Sequence, residues 1–527
     1  MRFVRDLLLR LGTDTRGNTL MLMAFAIFPL LAAIGCGVDS ARAYMTRTRL
    51  QQAVDAAALA GRRSMTGDDL ESAKPGVNAY MAFNFPTGLY GSTPVTVTTT
   101  KPDVGTIQVY ARTSVPTSIM SIFGIKKIDV DAAGTAVQSF KNVDIMLVLD
   151  TTGSMNDTLS GVRKIDALKS AVRALYDQLA PAQSMLRQKG LRMRFGIVPY
   201  AATVNVGRLL YRKNASYIRA SSVPYYHWKA TQSGRRTTWS FDQQRYDLSG
   251  FVSGGTLGNV NGNGDQATAR WGGCIEERKT DPSITANDPR DAAPATAIDL
   301  DIDRIPDFTD DTRFAPYIFD PHASTSIGDG TGINSYCPAE ATELQEMDDA
   351  TLGGLLDKLV AKGSTYHDIG MIWGARMLSN GGIWGPQNPD TYNQIGVQRY
   401  IVYMTDGTMS APRDSCAQVW YGYCYTSSYD HSAAYSGYGI EAYDRRVGGT
   451  SDNDNNDRHT KRFLMACNAA KAKSVSIWTI AFGTGRVDSL DKCASSTSQS
   501  STASNSDDLI ARFATIGKSI GSLRISH

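Results

Sequence analysis

The stretch Val143-Asp-Ile-Met-Leu-Val-Leu-Asp150-Thr-Thr-Gly-Ser154 is an apolar run that ends in a carboxylate and hydroxyl side chains. A short, nearly continuous apolar run that ends at turn residues predicts a strand buried on both faces, as in a parallel sheet. A second run, from Ile401 to Met404, ends in the same way at Asp406, within Met-Thr-Asp-Gly. Ligands of open α/β sheets lie beyond the carboxyl ends of the strands, so both carboxylates are expected at one site.

The segments around these runs alternate between helical and strand patterns. Apolar residues recur at helical intervals at Val162, Ile165, Leu168, Val172, Leu175 and Leu179, and again at Ile369, Ile372, Ala375 and Leu378. Buried strands are predicted at 195–198 and around Val475, Ile477, Trp478 and Ile480. Regular alternation of strands and helices predicts an α/β fold with a mainly parallel, Rossmann-like sheet.

Three loops carry oxygen ligands suited to a hard cation. The first holds Asp150, Thr152 and Ser154, the second holds Thr365 in Gly363-Ser-Thr365, and the third holds Asp406. Mg²⁺ prefers about six oxygens in near-octahedral geometry and keeps several waters, so hydroxyls with one or two carboxylates suit it. An open coordination position would then accept a carboxylate from a partner molecule.

These loops resemble the metal-ion-dependent adhesion site of von Willebrand factor A domains, which reads D-x-S-x-S, then a later Thr, then an Asp. The resemblance implies metal ligands at Asp150, Thr152, Ser154, Thr365 and Asp406, with Thr in place of the first Ser. It implies a divalent cation, Mg²⁺ first and Mn²⁺ or Ca²⁺ as alternatives. Any one of these clusters alone would be explained as a helix cap or a turn. The prediction of a metal site therefore depends on all three clusters occurring in the order of the family pattern.

A phosphotransfer enzyme is the competing interpretation of the first loop. Asp-Thr-Thr-Gly-Ser154 is similar to the D-K-T-G-T loop of cation-pumping ATPases, in which the Asp is a nucleophile. The Lys of that loop is missing here, as are the later acidic cluster and any nucleotide-binding glycine loop. We therefore expect a protein that is not an enzyme, with no catalytic residues.

The amino-terminal end predicts a membrane anchor. Residues 20–38 are almost unbroken apolar side chains, enough at ~1.5 Å per residue to cross a bilayer core of ~30 Å. Arg2, Arg5, Arg10 and Arg16 precede them, so residues 1–17 are expected as a cytoplasmic leader and the bulk of the chain outside. No Gly or Pro falls between Val38 and Ala60, which predicts one transmembrane, pilin-like helix over 18–62. A cleaved signal, or a lipoprotein signal at Cys36, are the alternatives.

This end of the chain resembles TadG-like proteins, the large pilin-related members of the Tad/Flp pilus systems of bacteria. At the amino-terminal end the resemblance rests on Arg16-Gly-Asn, the apolar span, Val38-Asp-Ser-Ala-Arg-Ala-Tyr44 and residues 50–60. Near the other end it rests on Cys467-Asn-Ala-Ala-Lys, Ile477-Trp-Thr-Ile-Ala-Phe-Gly, Leu490-Asp-Lys-Cys-Ala-Ser and Leu523-Arg-Ile. Leu22 stands where true pilins of the system carry Glu. The resemblance implies an inner-membrane protein with a periplasmic bulk, or a place on the cell surface at a pilus tip, with pilus subunits or assembly proteins as partners.

The remaining sequence divides into a small module and a domain with insertions. Residues 63–140 predict a small α+β module, because 95–100, 106–115 and 127–137 alternate with the two-residue period of half-buried strands. Residues 141–527 are assigned to the von Willebrand factor A domain. It carries insertions at about 205–346 and 410–457, where the sheet pattern stops. The second insertion contains six tyrosines typical of recognition surfaces: Tyr421, Tyr423, Tyr425, Tyr429, Tyr435 and Tyr438.

Composition limits the partners and the compartment. A net charge of +3 over 527 residues, without basic runs, gives no reason to expect nucleic acid as a partner. Six of the seven cysteines lie on the predicted outer side, where an oxidising compartment would pair them. Their spacing suggests the pairs Cys274–Cys337, Cys416–Cys424 and Cys467–Cys493.

The sequence thus predicts a membrane-inserted, pilin-like minor component of a Tad/Flp pilus. It would act in pilus assembly or as a tip adhesin that binds a surface or protein ligand through its cation. A structural periplasmic scaffold without metal-dependent binding, or an aspartyl phosphohydrolase, are the alternatives.

Overall fold

The computed structural model describes residues 17–65, 69–102, 106–137, 141–233, 236–257, 269–318, 336–413, 419–420, 423–424 and 435–521. These residues form two compact units that divide between residues 140 and 141.

The first unit pairs a long helix with a small antiparallel sheet. Its elements are α1 (Gly17–Ser64), α2 (Leu70–Asn84), β1 (Thr96–Thr100), β2 (Thr106–Pro116) and β3 (Lys127–Val137). The strands lie in the order β1-β2-β3 with antiparallel pairing throughout. The three strands predicted from alternation are confirmed to within one residue at each end.

The core of this unit lies between the sheet and the carboxyl-terminal part of α1. Alternate residues of β2, including Ile107, Val109 and Ala111, are buried there. Small side chains of α1, such as Ala53 and Ala57, are fully buried against them. The amino-terminal part of α1 differs: large apolar side chains at Phe25, Leu30 and Ile34 are exposed. Among the described residues, one helix is long and apolar enough to cross a membrane, over Phe25–Ser64.

The second unit is built on one mixed sheet with helices on both faces. Its main elements, in chain order, are β4 (Asn142–Asp150), α3 (Lys164–Gln188), β5 (Met193–Tyr200), β6 (Thr342–Gln345), α4 (Asp349–Leu356), α5 (His367–Leu378), β7 (Ile395–Thr405), α6 (Asp452–Ala472), β8 (Val475–Phe482), α7 (Asp488–Cys493), β9 (Ser500–Ala503) and α8 (Ser506–Gly521). Short helices lie at Gly207–Lys213, Ser249–Val252 and Glu441–Asp444, and a hairpin joins Val223–Ser233 to Arg236–Tyr246. Two-residue strands at Thr158–Leu159 and Val162–Arg163 form another hairpin, and Thr391–Tyr392 pairs with β7.

The strand order is β6-β5-β4-β7-β8-β9, in which every pairing is parallel except that of β6 with β5. Numbered along the chain, this is the order 3-2-1-4-5-6 of doubly wound α/β folds. One face carries α3 and α8, which pack on each other, and Tyr176 of α3 meets Phe195 of β5 there. The other face carries α5 and α6. The predicted α/β class with a mainly parallel, Rossmann-like sheet is confirmed.

Two local details differ from the sequence prediction. Val162, expected on the first helix, lies in the Thr158–Arg163 hairpin and is exposed, because the helix begins only at Lys164. The predicted insertion 205–346 contains β6, which rejoins the main sheet as an edge strand. Three of its four residues are half-buried and the fourth is exposed, so no apolar run marks it.

The two predicted insertions are tied to the helices of the sheet by buried charges. Glu277 of the first insertion pairs with Arg376 of α5 at 3.1 Å, and Asp299 pairs with Arg462 of α6. Tyr435 and Tyr438 of the second insertion are buried, which corrects their assignment to a recognition surface. The side chains of Tyr421, Tyr423, Tyr425 and Tyr429 lie outside the described part of the chain.

Two predicted disulfides are confirmed. Cys274 is bonded to Cys337 within the first insertion, and Cys467 of α6 is bonded to Cys493 of α7. The predicted Cys416–Cys424 pair lies outside the described residues, and Cys36 of α1 is free and exposed.

Candidate metal centre

The two carboxylates predicted from sequence lie at the ends of adjacent parallel strands. Asp150 is the last residue of β4, and Asp406 directly follows β7. The register pairs Leu149 with Met404, so both strands end at the same height. The strand order reverses between β4 and β7, and such a switch point opens a crevice at the carboxyl edge of the sheet.

Asp150 is fully buried and its two oxygens are held by hydrogen bonds. The backbone N–H of Thr152 donates to Oδ1 at 2.8 Å. The hydroxyl of Thr405 donates to Oδ2 at 2.7 Å, and the hydroxyl of Tyr200 lies 3.4 Å from the same oxygen. These contacts fix the carboxylate behind the first loop and away from solvent.

Burial and a neighbouring negative charge make ionisation of Asp150 costly. Loss of solvent is the largest cause, and the charge of Asp406 is the next; together they raise the pKa of Asp150 to about 6. The hydrogen bonds from Thr152 and Thr405 act in the opposite direction but do not offset them. A cation placed near both carboxylates would relieve this repulsion and favour the ionised form.

Asp406 connects the third loop to the first loop and to α3. The hydroxyl of Ser154 donates to Oδ1 of Asp406 at 2.7 Å. The ammonium group of Lys164, at the start of α3, contacts the other oxygen at 2.8 Å. Two carboxylates and one ammonium leave the cluster with one net negative charge when Asp150 is ionised.

Backbone hydrogen bonds join the second loop to both of the others. The N–H of Gly153 donates to the carbonyl of Gly363 at 2.8 Å. Thr365 and Ser410 exchange two backbone hydrogen bonds, at 3.0 and 2.9 Å. The structure therefore brings the segments that carry all five predicted residues, Asp150, Thr152, Ser154, Thr365 and Asp406, to one edge of the sheet.

The donor set has the chemistry of a hard-cation site. The hydroxyl oxygens of Thr152 and Ser154 lie 3.2 Å apart. Because Ser154 gives its proton to Asp406, its oxygen accepts in the contact with Thr152, and one lone pair remains available to a cation. Across the described residues no group of three or more His, Cys, Asp or Glu comes together to hold a metal. A hydroxyl-rich set with two carboxylates fits Mg²⁺ better than it fits zinc.

A chain of hydrogen bonds beneath Asp150 was missed by the sequence analysis. Burial lowers the pKa of His367 to about 4, so its ring is neutral. Its Nε2 lies 3.1 Å from the hydroxyl of Thr405, which itself donates to Asp150. Nε2 therefore carries the ring proton and donates to Thr405, an assignment that follows from these partners.

Lys164 and Tyr200 were also missed as neighbours of the site. Lys164 stands ten residues beyond Ser154, after a hairpin that no apolar pattern marks. Tyr200 ends β5, where the register places it opposite Asp150. A polar or aromatic residue at the last position of a predicted neighbouring strand is the one signal that could have suggested it.

Comparison with known proteins bears mainly on the amino-terminal segment. Residues 17–64 match the family described as "Putative Flp pilus-assembly TadE/G-like". No curated protein matches the sequence.

Several solved structures are similar at low identity. The pilus adhesin SpaC from Lactobacillus rhamnosus GG is 12% identical over 81% of this chain and 34% of SpaC, with a TM-score of 0.33. The von Willebrand factor domain of the type V pili tip protein Mfa5 from Porphyromonas gingivalis is 11% identical over 74% of this chain and 99% of that domain, with a TM-score of 0.31. The PilB minor pilin from Streptococcus sanguinis is 12% identical over 82% of this chain and 79% of PilB, with a TM-score of 0.30.

This chain thus spans about a third of the length of SpaC. The arrangement of the second unit is assigned from its strand order and not from these likenesses. The family match and the apolar helix coincide over the same residues, α1. The similarity to the TadE/G-like family therefore lies in α1, which is 48 of the 527 residues.

Proposed function

We propose that the protein is a membrane-anchored component of a Tad/Flp pilus whose second unit binds an acidic ligand through a divalent cation. The single observation that supports a bound cation is a hydrogen-bonded cluster at this edge of the sheet. In it, the hydroxyl of Ser154 donates to Asp406 beside the buried carboxylate of Asp150. Thr152, Ser154, Thr365 and Asp406 would hold the ion, and Asp150 would supply charge from behind them. Mg²⁺ is the proposed ion, with Mn²⁺ or Ca²⁺ as substitutes.

The proposed ligand is a carboxylate on a protein or surface partner. A cation held mainly by neutral hydroxyls keeps much of its charge, so an anionic oxygen would complete its shell. Solvent reaches the site from the loops: Gly153 and Thr408 are exposed, and Ser154 is half-buried. The second insertion starts at Ser410, which bonds to Thr365, so this insertion would border the ligand.

Binding is favoured over phosphoryl transfer at this site. A nucleophilic Asp needs an oxygen that the substrate can approach. Asp150 has no exposed surface, and hydrogen bonds engage both of its oxygens. Its proposed role is therefore electrostatic, as a fixed negative charge.

The pilus assignment is supported by α1. A helix of 48 residues with an exposed apolar start could remain in the inner membrane or pack into a filament core. A unit as large as residues 141–522 would obstruct neighbouring subunits except at a filament end. We therefore propose a tip position or an assembly role at the membrane, with the second unit in the periplasm or outside the cell.

Two experiments test the proposal. Immunogold labelling of sheared pili should place the protein at filament ends; label confined to the envelope would favour the assembly role, and absence of any association with pilus proteins would contradict both. Attachment of piliated cells should be lost on chelation and restored by Mg²⁺ for the parent. Restoration should fail for Ser154→Ala but succeed for Asp357→Asn, whose carboxylate is 74% exposed on a surface turn.

A further inference from the structure

The first unit has an apolar loop beside the point along α1 where its apolar span ends. Residues 117–126, here the apolar loop, connect β2 to β3 and read Thr-Ser-Ile-Met-Ser-Ile-Phe-Gly-Ile-Lys. Ile122 is 72% exposed, Phe123 is 42% exposed and Ile125 is 44% exposed. Surface connections are usually polar, and clustered exposed apolar side chains mark a contact with a membrane or another molecule.

The apolar loop is fixed to α1 by specific contacts. The carboxylate of Asp39 accepts backbone hydrogen bonds from Ser118, Ile119 and Met120 at 3.0, 3.1 and 2.9 Å. Arg42 donates to the hydroxyl of Ser118 at 3.0 Å. A Cβ at Gly35 would lie 2.5 Å from the side chain of Ile119, so this glycine allows the close approach. The position of the apolar loop along α1 is therefore defined.

That position is the expected membrane interface. The apolar span of α1 runs from residue 20 to residue 38, and Asp39 is the first charged residue after it. Apolar side chains of α1 around this height, such as Leu31, Ile34 and Val38, are exposed like those of the apolar loop. The two apolar surfaces are thus neighbours on one unit, and the helix that carries the first is the proposed bilayer anchor.

Side chains of the kind that contact lipid headgroups lie near the end of this apolar span. Tyr44 is 73% exposed and Tyr90 is 42% exposed, and the carbonyl of Tyr90 accepts a hydrogen bond from Arg42. Lys126 closes the apolar loop and is exposed. Aromatic and basic side chains that border an apolar surface are characteristic of the bilayer interface and of anionic lipid.

We propose that the apolar loop is a second membrane contact, which inserts Ile122, Phe123 and Ile125 into the headgroup and upper acyl region beside α1. Its ligand is an anionic lipid bilayer. With two points of contact, α1 and the apolar loop, the first unit would be held in a fixed orientation on the membrane surface. This inference rests on the proposed membrane anchor and is independent of the cation site.

Depth measurements with nitroxide labels test it on the full chain in vesicles of phosphatidylethanolamine and phosphatidylglycerol. Labels are placed by Phe123→Cys or Ile122→Cys in a Cys36→Ser background, since Cys36 is the free cysteine among the described residues. Oxygen, which enters bilayers, and a water-soluble nickel chelate report the two environments. The control is Val137→Cys, 54% exposed at the far end of β3. Through its strand partners this end lies near Gly61, about 39 Å from Gly35 along α1 at ~1.5 Å per residue.

The expected result is that oxygen relaxes the labels at 122 and 123 more strongly than the nickel chelate does, with the reverse at 137. Equal access of the chelate to 123 and 137 would overturn the proposal. A Leu30→Cys label separates the two possible failures. If oxygen relaxes the label at 30 but the chelate reaches the label at 123, the membrane anchor is supported and the apolar-loop contact is overturned. Access of the chelate to the label at 30 would overturn both the membrane anchor and the apolar-loop contact. Protection of 123 in assembled filaments but not in vesicles would assign the apolar loop to a subunit interface and overturn the lipid contact.

Discussion

Replacing Asp150 by Asn should stabilise the metal-free second unit and remove its response to Mg²⁺. The pKa of this buried carboxyl is about 6 in the folded protein, against about 3.9 in an unfolded chain. At pH 8 its ionisation therefore costs the folded state about 3 kcal/mol that the unfolded chain does not lose. The isosteric amide carries no charge and keeps an acceptor for the N–H of Thr152. Its NH₂ group replaces the oxygen that accepts from Thr405, so the Thr405 hydroxyl has to turn to the carbonyl of Gly407, 3.4 Å away. Allowing for burial of the amide itself, the expected gain is roughly 1–3 kcal/mol.

The pH dependence gives the sign of the effect. Because the folded pKa is raised, the parent is free of this penalty below about pH 4 and loses stability as pH rises through about 6. The advantage of Asp150→Asn should therefore be full at pH 8 and about half as large at pH 5, where the ionisation penalty is about 1.5 kcal/mol. Mg²⁺ at a thousand times its Kd should reverse the order at pH 8, because it stabilises the parent by about 4.1 kcal/mol, which exceeds the expected gain of the variant.

The assay is urea unfolding of the full chain in detergent, followed by tryptophan fluorescence with chelator or with Mg²⁺. All seven tryptophans lie beyond residue 140, so the signal reports the second unit alone. Asp357→Asn is the control, since its exposed carboxylate should change neither curve. A metal-free Asp150→Asn protein that is less stable than the parent at pH 8 would refute the reasoning.

Three further predictions concern the rest of the molecule. Replacing Cys274 and Cys337 by Ser should cost roughly 4 kcal/mol for a loop of 63 residues, measured by the same unfolding curves, whereas Cys36→Ser should cost nothing. Gly374→Ala in α5 would place a Cβ 2.4 Å from the side chain of Val148 and should destabilise the fold by roughly 1–3 kcal/mol. Gly354→Ala in α4, whose Cβ would meet open space, should be neutral or stabilising. Equal unfolding curves for the two variants would contradict the close packing of α5 on β4. Leu30→Arg should impair insertion by roughly 2.5–3.5 kcal/mol, seen as loss of the protein from carbonate-washed membranes.

Much of the fold could be predicted because its central elements carry unambiguous patterns. The apolar stretch of β4 is buried on both faces, so nearly every residue has to be apolar. Residues from Ile165 to Leu179 follow the buried stripe of α3 for the same reason. The edge strand β6 has no such constraint, since only part of each side chain is covered, and its sequence gives no apolar signal.

The candidate site was predictable only where the chain order itself is informative. Asp150 and Asp406 each follow an apolar run, so their meeting at one sheet edge follows from parallel strands. Lys164 and His367 reach the same place through a hairpin and a helix start, whose positions depend on tertiary packing. The buried pair Asp299–Arg462 joins residues far apart along the chain, and nothing local in the sequence marks either partner.

The central claim is that one divalent cation binds where β4 and β7 end. Calorimetric titration of the chelator-treated full chain with Mg²⁺, and with Mn²⁺ as a check, tests it most directly. We predict one saturable site per chain in the parent and in Asp357→Asn, with binding lost or strongly weakened in Asp406→Ala and Ser154→Ala. Equal binding by Asp406→Ala and the parent, or no binding by the parent at pH 8, would contradict the account.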